Sequence, residues 1–508
     1  MDVGPLLTLL SSTDHQILYG RRGTGKTHAL KFLAEQRANL GDIPIYVDLR
    51  NIGSTGGVYA DTSIPLAERG TRLLLDTLTA IHEVLLDNAT KPGGQLSIAQ
   101  MAPVLDKLAD AITEVILVGR FEKEEVASTL TTDQSAGSAS LSLGTRDSGV
   151  SLESSSKRSL SATQHERIKS SGNLVHRVHF GKLGKVLSDI SAILGKRRIW
   201  ILLDEWSVIP IELQPYLADL LRRSVLPQQN ITLKIAAIEQ RTHFQVSYSR
   251  GDYIGIELGA DVAADINLDD IMVFDNNAVR AVQFFQELLF KHYSSVLTES
   301  DPSDLPNSSP NLIHSAFTQR AVFDEFVRAS EGVPRDFINI LMTVAQRATT
   351  NAISAPDIRN SSLVWFQRDK QAAISSNARA KSLLHWIIDE VIGHRRARAF
   401  LLRSGDRHDL IDYLFDARIL HVLKRNIAGQ DQPGVRFDVY KLDYGCYVDL
   451  LTTTRAPQGL LPSDEGGDNK VIGFVDVPPD DYRAIRRAIL DLSVFEQAHL
   501  AEQSGEIL

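Results

Sequence analysis

The feature that most constrains this chain is the run GRRGTGKT at residues 20–27. It fits the frame GxxxxGK(S/T) without a gap and puts Gly20, Gly25, Lys26 and Thr27 at the fixed positions. Each residue type answers a chemical need. Glycines let successive backbone N–H groups turn inward around α and β phosphates, a lysine ammonium reaches the β and γ phosphates, and a threonine hydroxyl ligates Mg2+. A helix starting there adds the positive end of its dipole. Gly23 loosens the loop further, and with Thr24 and His28 it completes the expected phosphate cradle.

The flanks have the order such a loop requires. HQILYG, ending at Gly20, is a short apolar run of strand type. After the loop, Ala29, Leu30, Phe32, Leu33 and Leu40 fall on one helical face that ends at Gly41. Strand, glycine loop and helix predict a nucleotide-binding α/β sheet.

A second constellation lies far downstream. In RRIWILLDEWS, Ile199 to Leu203 form a continuous apolar run, as a central parallel strand covered on both faces should, and it delivers Asp204 and Glu205 at its carboxyl end. This is the Walker B pattern: the first acid holds Mg2+ through its water shell, and the second polarises the attacking water. PIYVDLR (44–50) and ITLKIAAIEQR supply further buried strands, the latter spanning Leu233 to Ile238 and ending in Glu239, Gln240 and Arg241. INLDDIMVF (Ile266 to Phe274) is expected as a fifth. Strand carboxyl ends line the ligand crevice of a doubly wound parallel sheet, so a polar residue after the fourth strand can sense a γ phosphate.

Between the two constellations, helical patterns near 65–88 and 98–115 give way to a serine-rich stretch. Residues 128–172 hold 14 serines in 45 positions and few large apolar side chains, which predicts a solvated insertion or disordered loop. The alternation in ASLSLG and GVSLES around TRDS leaves a protruding hairpin that contacts a protein partner as the other reading.

A helical region follows the sheet, from about 277 to 380, and contains EGVPRDFINILMTVAQRA. Arg335 sits in the first turn of a helix whose apolar side is expected to be Phe337, Leu341, Val344 and Ala345. An arginine there opposes the helix dipole, so it needs a nearby anion, either a bound phosphate or an acid such as Asp336 or Glu331. Two amphipathic helices come next, with Leu384, Ile387, Ile388 and Val391 on one and Leu410, Ile411, Leu414 and Phe415 on the other. A β-hairpin across residues 424–451 completes a winged-helix pattern. Between Arg379 and Lys441 there are 12 Lys/Arg against 8 Asp/Glu, a local excess of +4 in a chain of net charge −9. HRRAR (394–398), Lys424, Arg425 and Arg436 are therefore candidates for touching phosphates on DNA. The tail from Pro457 has a strand pattern, VIGFVDV, and a last helix.

Composition sets the outer limits. With 508 residues, 43 % hydrophobic and 23 % charged, the chain is long enough for two to four globular domains. A lone cysteine, Cys446, excludes an intrachain disulfide and a cysteine-rich zinc site. No basic leader precedes the first apolar run, and no stretch of about 18 apolar residues follows, so a cytoplasmic location without a membrane span is expected.

Taken together, GRRGTGKT, WILLDEW, the end of IAAIEQR and GVPRDF resemble the AAA+ ATPases, over about residues 10–455. Within that group the likeness is to prokaryotic proteins similar to origin-recognition initiators and to the signal-transducing STAND branch. The resemblance implies a nucleotide-binding core over 1–275, a helical lid over 276–378 with Arg335 as sensor 2, a winged helix over 379–455 and a tail over 456–508. It places sensor 1 among Glu239, Gln240 and Arg241, with Arg241 on the γ phosphate. It further implies a homo-oligomer with a trans-acting arginine from Arg222, Arg223 or Arg250. ATP and Mg2+ are the expected ligands, and the function is a DNA-associated loader, matchmaker or remodelling switch. The alternative is a signalling or defence ATPase whose nucleotide state gates a protein partner.

Overall fold

The structure, a computed structural model, describes residues 6–52, 61, 63–91, 96–112, 115–124, 140–141, 167–176, 178–248, 252–271, 274–275, 277–297, 306–348, 351–405, 408–428, 434–451 and 488–504. Its centre is an α/β unit. The elements run β1 (Gln16–Tyr19), α1 (Lys26–Asn39), β2 (Ile43–Asp48), α2 (Leu66–Thr90), α3 (Ile98–Ile112), α4 (Phe180–Leu194), β3 (Ile199–Asp204), α5 (Gln214–Ser224), β4 (Ile231–Ala237) and β5 (Ala263–Asn267). The five strands form one parallel sheet in the order β5-β1-β4-β3-β2. Because β4 lies between β1 and β3, the ends of β1, β4 and β3 lie side by side on one sheet edge.

Alternation along β3 shows how both faces are filled. Ile199, Ile201 and Leu203 join the larger apolar cluster with α2, α3, α4 and α5. Trp200 and Leu202 face the other way, onto Ala29, Leu30 and Leu33 of α1 and onto Leu6 and Leu10 of a short N-terminal helix. Pro44 is tolerated because β2 is an edge strand, where a missing N–H costs little.

The fifth strand departs from expectation. It spans Ala263–Asn267, and the chain turns into the short helix Leu268–Ile271 where INLDDIMVF reads as strand throughout. Asn267 explains the break: its Oδ1 accepts from the Asp269 N–H at 3.0 Å and redirects the backbone. Just before the serine-rich stretch, Val115–Glu124 pairs antiparallel with Arg167–His176 at its far end, and Ser140–Leu141 within it pairs with the start of the former. The rest of that stretch, residues 128–139 and 142–166, lies outside the described residues, as does VIGFVDV in the tail.

A helical unit follows, with α6 (Ala278–Ser294), the helices Ser309–Ala316 and Arg320–Ala329, α7 (Pro334–Arg347) and the helix Ala355–Trp365 around a phenylalanine-rich core. On α7 the buried apolar positions are Phe337, Ile340 and Val344 rather than 337, 341, 344 and 345, because Phe285, Phe323 and Phe326 pack on Phe337.

The C-terminal unit contains α8 (Ala378–Ile388), β6 (Ala399–Arg403), α9 (Asp409–Asp416), β7 (Leu420–Ala428), β8 (Arg436–Leu442) and α10 (Tyr444–Leu451). Helix, helix and hairpin stand in the expected order, and β6 is an addition to it: this strand pairs with β8 in a three-stranded antiparallel sheet of order β6-β8-β7. Only α9 lies between β6 and β7. The boundaries also shift. Phe366 and Ile374 belong to this core, and so do Ala488, Leu490 and Phe495, so residues 488–504 are part of the unit and not a separate tail. Helix α10 reaches back, putting Tyr444 and Val448 into the helical unit's core.

Candidate functional site

The glycine loop joins β1 to α1, and the Gly20 N–H donates to Ala237 O of the neighbouring β4 at 3.2 Å. Two of its glycines cannot be replaced without strain. Gly25 caps α1 at φ 99°, in the left-handed region. At Gly23, φ is 90° and an added Cβ would lie 2.7 Å from the Cβ of Arg335. The first turn of α7 therefore rests on the loop, and the Arg335 N–H donates to Gly23 O at 3.3 Å.

Lys26 is 8 % exposed, and its Nζ donates to the carbonyls of Gly20 (2.8 Å) and Arg21 (3.0 Å). Burial pulls the ammonium below its ordinary range, against the opposing fields of Asp269, Glu205 and Asp204. Asp204 is fully buried at the end of β3. It accepts from the Tyr46 hydroxyl of β2 at 2.7 Å and from the Glu205 N–H at 2.8 Å. Burial and the Asp204 carboxylate push the Tyr46 hydroxyl up, so it remains a donor. Glu205 itself stands at φ 59°, a conformation a non-glycine residue adopts only when its surroundings enforce it. Arg50, just beyond β2, approaches Glu205 at 3.9 Å.

The loop, Glu205, Arg50 and Arg335 converge on a cleft of about 1000 Å³, whereas Asp204, Gly20 and Tyr46 are not among the residues that line it. Gly23, Thr24, Gly25, Lys26, Thr27, His28, Glu205 and Arg335 all line it, together with Arg50. Apolar side chains also line it, among them Leu6, Leu7, Leu288 and Ile338. Of the residues singled out in the sequence, Gly23 to His28, Glu205 and Arg335 line the cleft, while the motifs miss Arg50, the N-terminal helix and the Tyr46 that holds Asp204. Arg50 and Tyr46 carry the signal of a strand end or strand neighbour beside the acids, whereas the N-terminal helix announces nothing chemical.

Arg241 is placed elsewhere. It does not line the cleft but pairs with Asp416 of α9. An arginine committed to the C-terminal unit cannot at the same time sit on a terminal phosphate, so that expectation is not met in this arrangement. Glu239, the first of the three sensor candidates, accepts from Asn267 at 3.2 Å and from Arg425 at 3.0 Å. Burial raises its carboxyl despite Arg425. Among the trans-acting candidates, Arg222 and Arg223 both pair with Asp219 of their own helix at 2.7 Å, and Arg250 lies outside the described residues.

The donor set suits a divalent cation that arrives with a phosphate. Among the described residues no cluster of His, Cys, Asp and Glu could hold a metal ion alone. Thr27 lines the cleft and offers one hydroxyl, while Asp204 does not line it and both its oxygens accept, from Tyr46 and from the Glu205 N–H, so a carboxylate share in holding Mg2+ requires the Tyr46 hydrogen bond to give way. Among the described residues, no helix is long and apolar enough to cross a membrane. Neither a known family model nor a curated protein matches this sequence.

Proposed function

We propose that this protein binds ATP with Mg2+ and hydrolyses it, as a P-loop ATPase of the AAA+ kind. The observation that carries the reading is the convergence of Lys26, Thr27, Glu205 and Arg335 on one cleft at the carboxyl edge of a parallel sheet. Backbone N–H groups of the loop and the start of α1 bind the phosphates, and Lys26 turns from its two carbonyls to the β and γ oxygens. The apolar side chains of Leu6, Leu7, Leu288 and Ile338 accept the base. Thr27 and, with its Tyr46 hydrogen bond released, Asp204 would hold Mg2+, which would supply positive charge opposite the transferred phosphoryl group. Glu205 takes the proton of the attacking water, and the lid residue Arg335 steadies the terminal phosphate.

Of the two functional settings, a nucleotide-gated switch has the better support. The DNA-associated loader needs the cations of the C-terminal unit on nucleic-acid phosphates. Here Arg425 pairs with Glu239 of the core at 2.9 Å, Arg418 with Asp336 and Asp369, and Lys441 with Asp275 and Glu331 at 2.6 and 3.0 Å. Arg395 of HRRAR donates to Ile489 O and faces Glu390. These pairs support a C-terminal unit that packs on the core and the helical unit through its cations.

The test is calorimetry of ATP binding with Mg2+ to wild type and Lys26→Ala, followed by turnover with and without duplex DNA. Binding abolished in the variant and turnover indifferent to DNA is expected. Equal binding by both would overturn the site, and DNA-stimulated turnover would restore the loader.

A further inference from the structure

Arg21 fills a variable position of the glycine loop, yet it is only 2 % exposed and does not line the cleft. Its N–H and Nε donate to Asp269 at 2.9 and 2.8 Å. The other two nitrogens reach the C-terminal unit. One donates to Leu420 O at 2.9 Å, the other lies 3.1 Å from His421 Nδ1, and the guanidinium stands 4.6 Å from the Phe415 ring centre. Since arginine has no acceptor, Nδ1 accepts here and the His421 proton sits on Nε2, 2.9 Å from Asp443. Burial and the Arg21 charge keep this imidazole neutral, with its pKa down to about 3.

The interactions then close a circuit. Lys370 bridges Asp443 at 2.5 Å and Asp336 at 2.8 Å. Asp336 is the neighbour of Arg335, whose N–H donates to Gly23 O. The path leaves the loop at Arg21, crosses the C-terminal unit, and returns two residues later. Every side chain along it, from His421 through Asp443 and Lys370 to Asp336, is at most 2 % exposed.

We infer that Arg21 is a positioning residue through which the docked C-terminal unit sets the shape of the phosphate loop, and so the rate at which nucleotide leaves. The inference rests on the ATP site proposed above. Its mechanical basis is in one residue: the side chain is held by the C-terminal unit, while the Arg21 carbonyl accepts from Lys26 Nζ at 3.0 Å and from the Thr24 hydroxyl at 2.9 Å. Moving the guanidinium displaces the anchor of the very lysine that reaches the phosphates. By linkage, whatever nucleotide does to the loop acts back on docking with equal free energy.

A double-mutant cycle tests this in the full chain. Arg21→Ala and His421→Ala should each speed release of a fluorescent ATP analogue about tenfold, and the double variant should exceed either by no more than about twofold, because both cut one path. Phe415→Leu, a milder cut that keeps an apolar side chain, should move release in the same direction by a smaller factor. Hydrogen exchange without nucleotide gives the independent readout: all three variants should raise exchange of the amides in residues 20–27. If Arg21→Ala acts while His421→Ala and Phe415→Leu leave the loop amides unchanged, or if the two alanine effects multiply to about a hundredfold, Arg21 acts alone and the inference falls. If wild type binds no nucleotide and the loop still loosens in His421→Ala, the ATP reading fails and the coupling stands.

Discussion

Lys26 and Lys370 are both almost withdrawn from water, at 8 % and 1 % exposure, and they differ in what surrounds them. Lys370 touches two carboxylates, Asp336 and Asp443. Burial alone would lower its pKa, but the pair of acids holds it above the ordinary value. Among the described residues Lys26 donates only to carbonyls of its own loop, the nearest acids act on it through space, and burial wins. A buried cation with its counterions in place is part of the architecture; one held by dipoles alone is suited to an anion brought from outside. Similar burial thus belongs to the architecture in one place and, on the reading proposed above, to a binding site in the other.

Removing each lysine should break the comparison most visibly. Lys370→Ala leaves Asp336 and Asp443 buried with one partner fewer, and should lower unfolding stability by about 3–5 kcal/mol in denaturant titrations. Lys26→Ala should abolish measurable ATP binding by calorimetry while leaving the unfolding midpoint near that of wild type. If both variants lose stability alike, the distinction between the two lysines is wrong. Next in size is Glu205→Gln, which keeps the side chain's shape but not its basicity, and should slow turnover by about a hundredfold or more with ATP binding retained. Turnover at the wild-type rate would remove Glu205 from its role.

A smaller effect tests the lid. Arg335→Ala should weaken a triphosphate about tenfold and a diphosphate hardly at all, the size expected when one charge-assisted hydrogen bond to the terminal phosphate is removed. Equal weakening of both would mean that its packing on Gly23, and not its charge, is what matters.

How much of this is legible in the sequence depends on whether the signal is local. GRRGTGKT and WILLDE are contiguous runs whose chemistry and neighbouring periodicity agree, so the loop, its strand and the acidic strand end stand where the sequence puts them. Helix α7 starts at Pro334, and Arg335 reaches the cleft as GVPRDF suggests. What escapes is pairing between distant residues. The separation of Arg241 from Asp416, or of Arg21 from His421, gives no periodicity to read, so a loop arginine looks like any solvated cation until the fold closes on it. The positive excess of residues 379–441 is likewise a count that cannot show which cations pair across the fold: Arg418, Arg425 and Lys441 face acids from other units, while Arg396, Lys424 and Arg436 are exposed. Even β6, with Ala399 to Leu402 buried, is hidden because its partner β8 follows only after α9 and β7.

The smallest expected effect is the pH dependence of stability that each lysine contributes, and its sign is opposite in the two cases. For Lys26 the folded pKa lies below the ordinary value of 10.5, so between the two values the unfolded chain binds more protons than the folded one. Stability contributed by this group therefore rises with pH across that interval. For Lys370 the folded pKa lies above 10.5, so its contribution is fully present below 10.5 and is lost as pH rises through the folded pKa. Lys26→Met and Lys370→Met remove these slopes one at a time. Denaturant unfolding across the alkaline range should show wild type gaining on Lys26→Met as pH approaches 10.5, and losing its advantage over Lys370→Met only beyond it. ATP bound to wild type should abolish the Lys26 slope, since a phosphate counterion opposes the burial that lowers its pKa, and should leave the Lys370 slope untouched. A Lys26 slope that persists with ATP bound would mean that the lysine stays on the carbonyls of Gly20 and Arg21 and never turns to the phosphates.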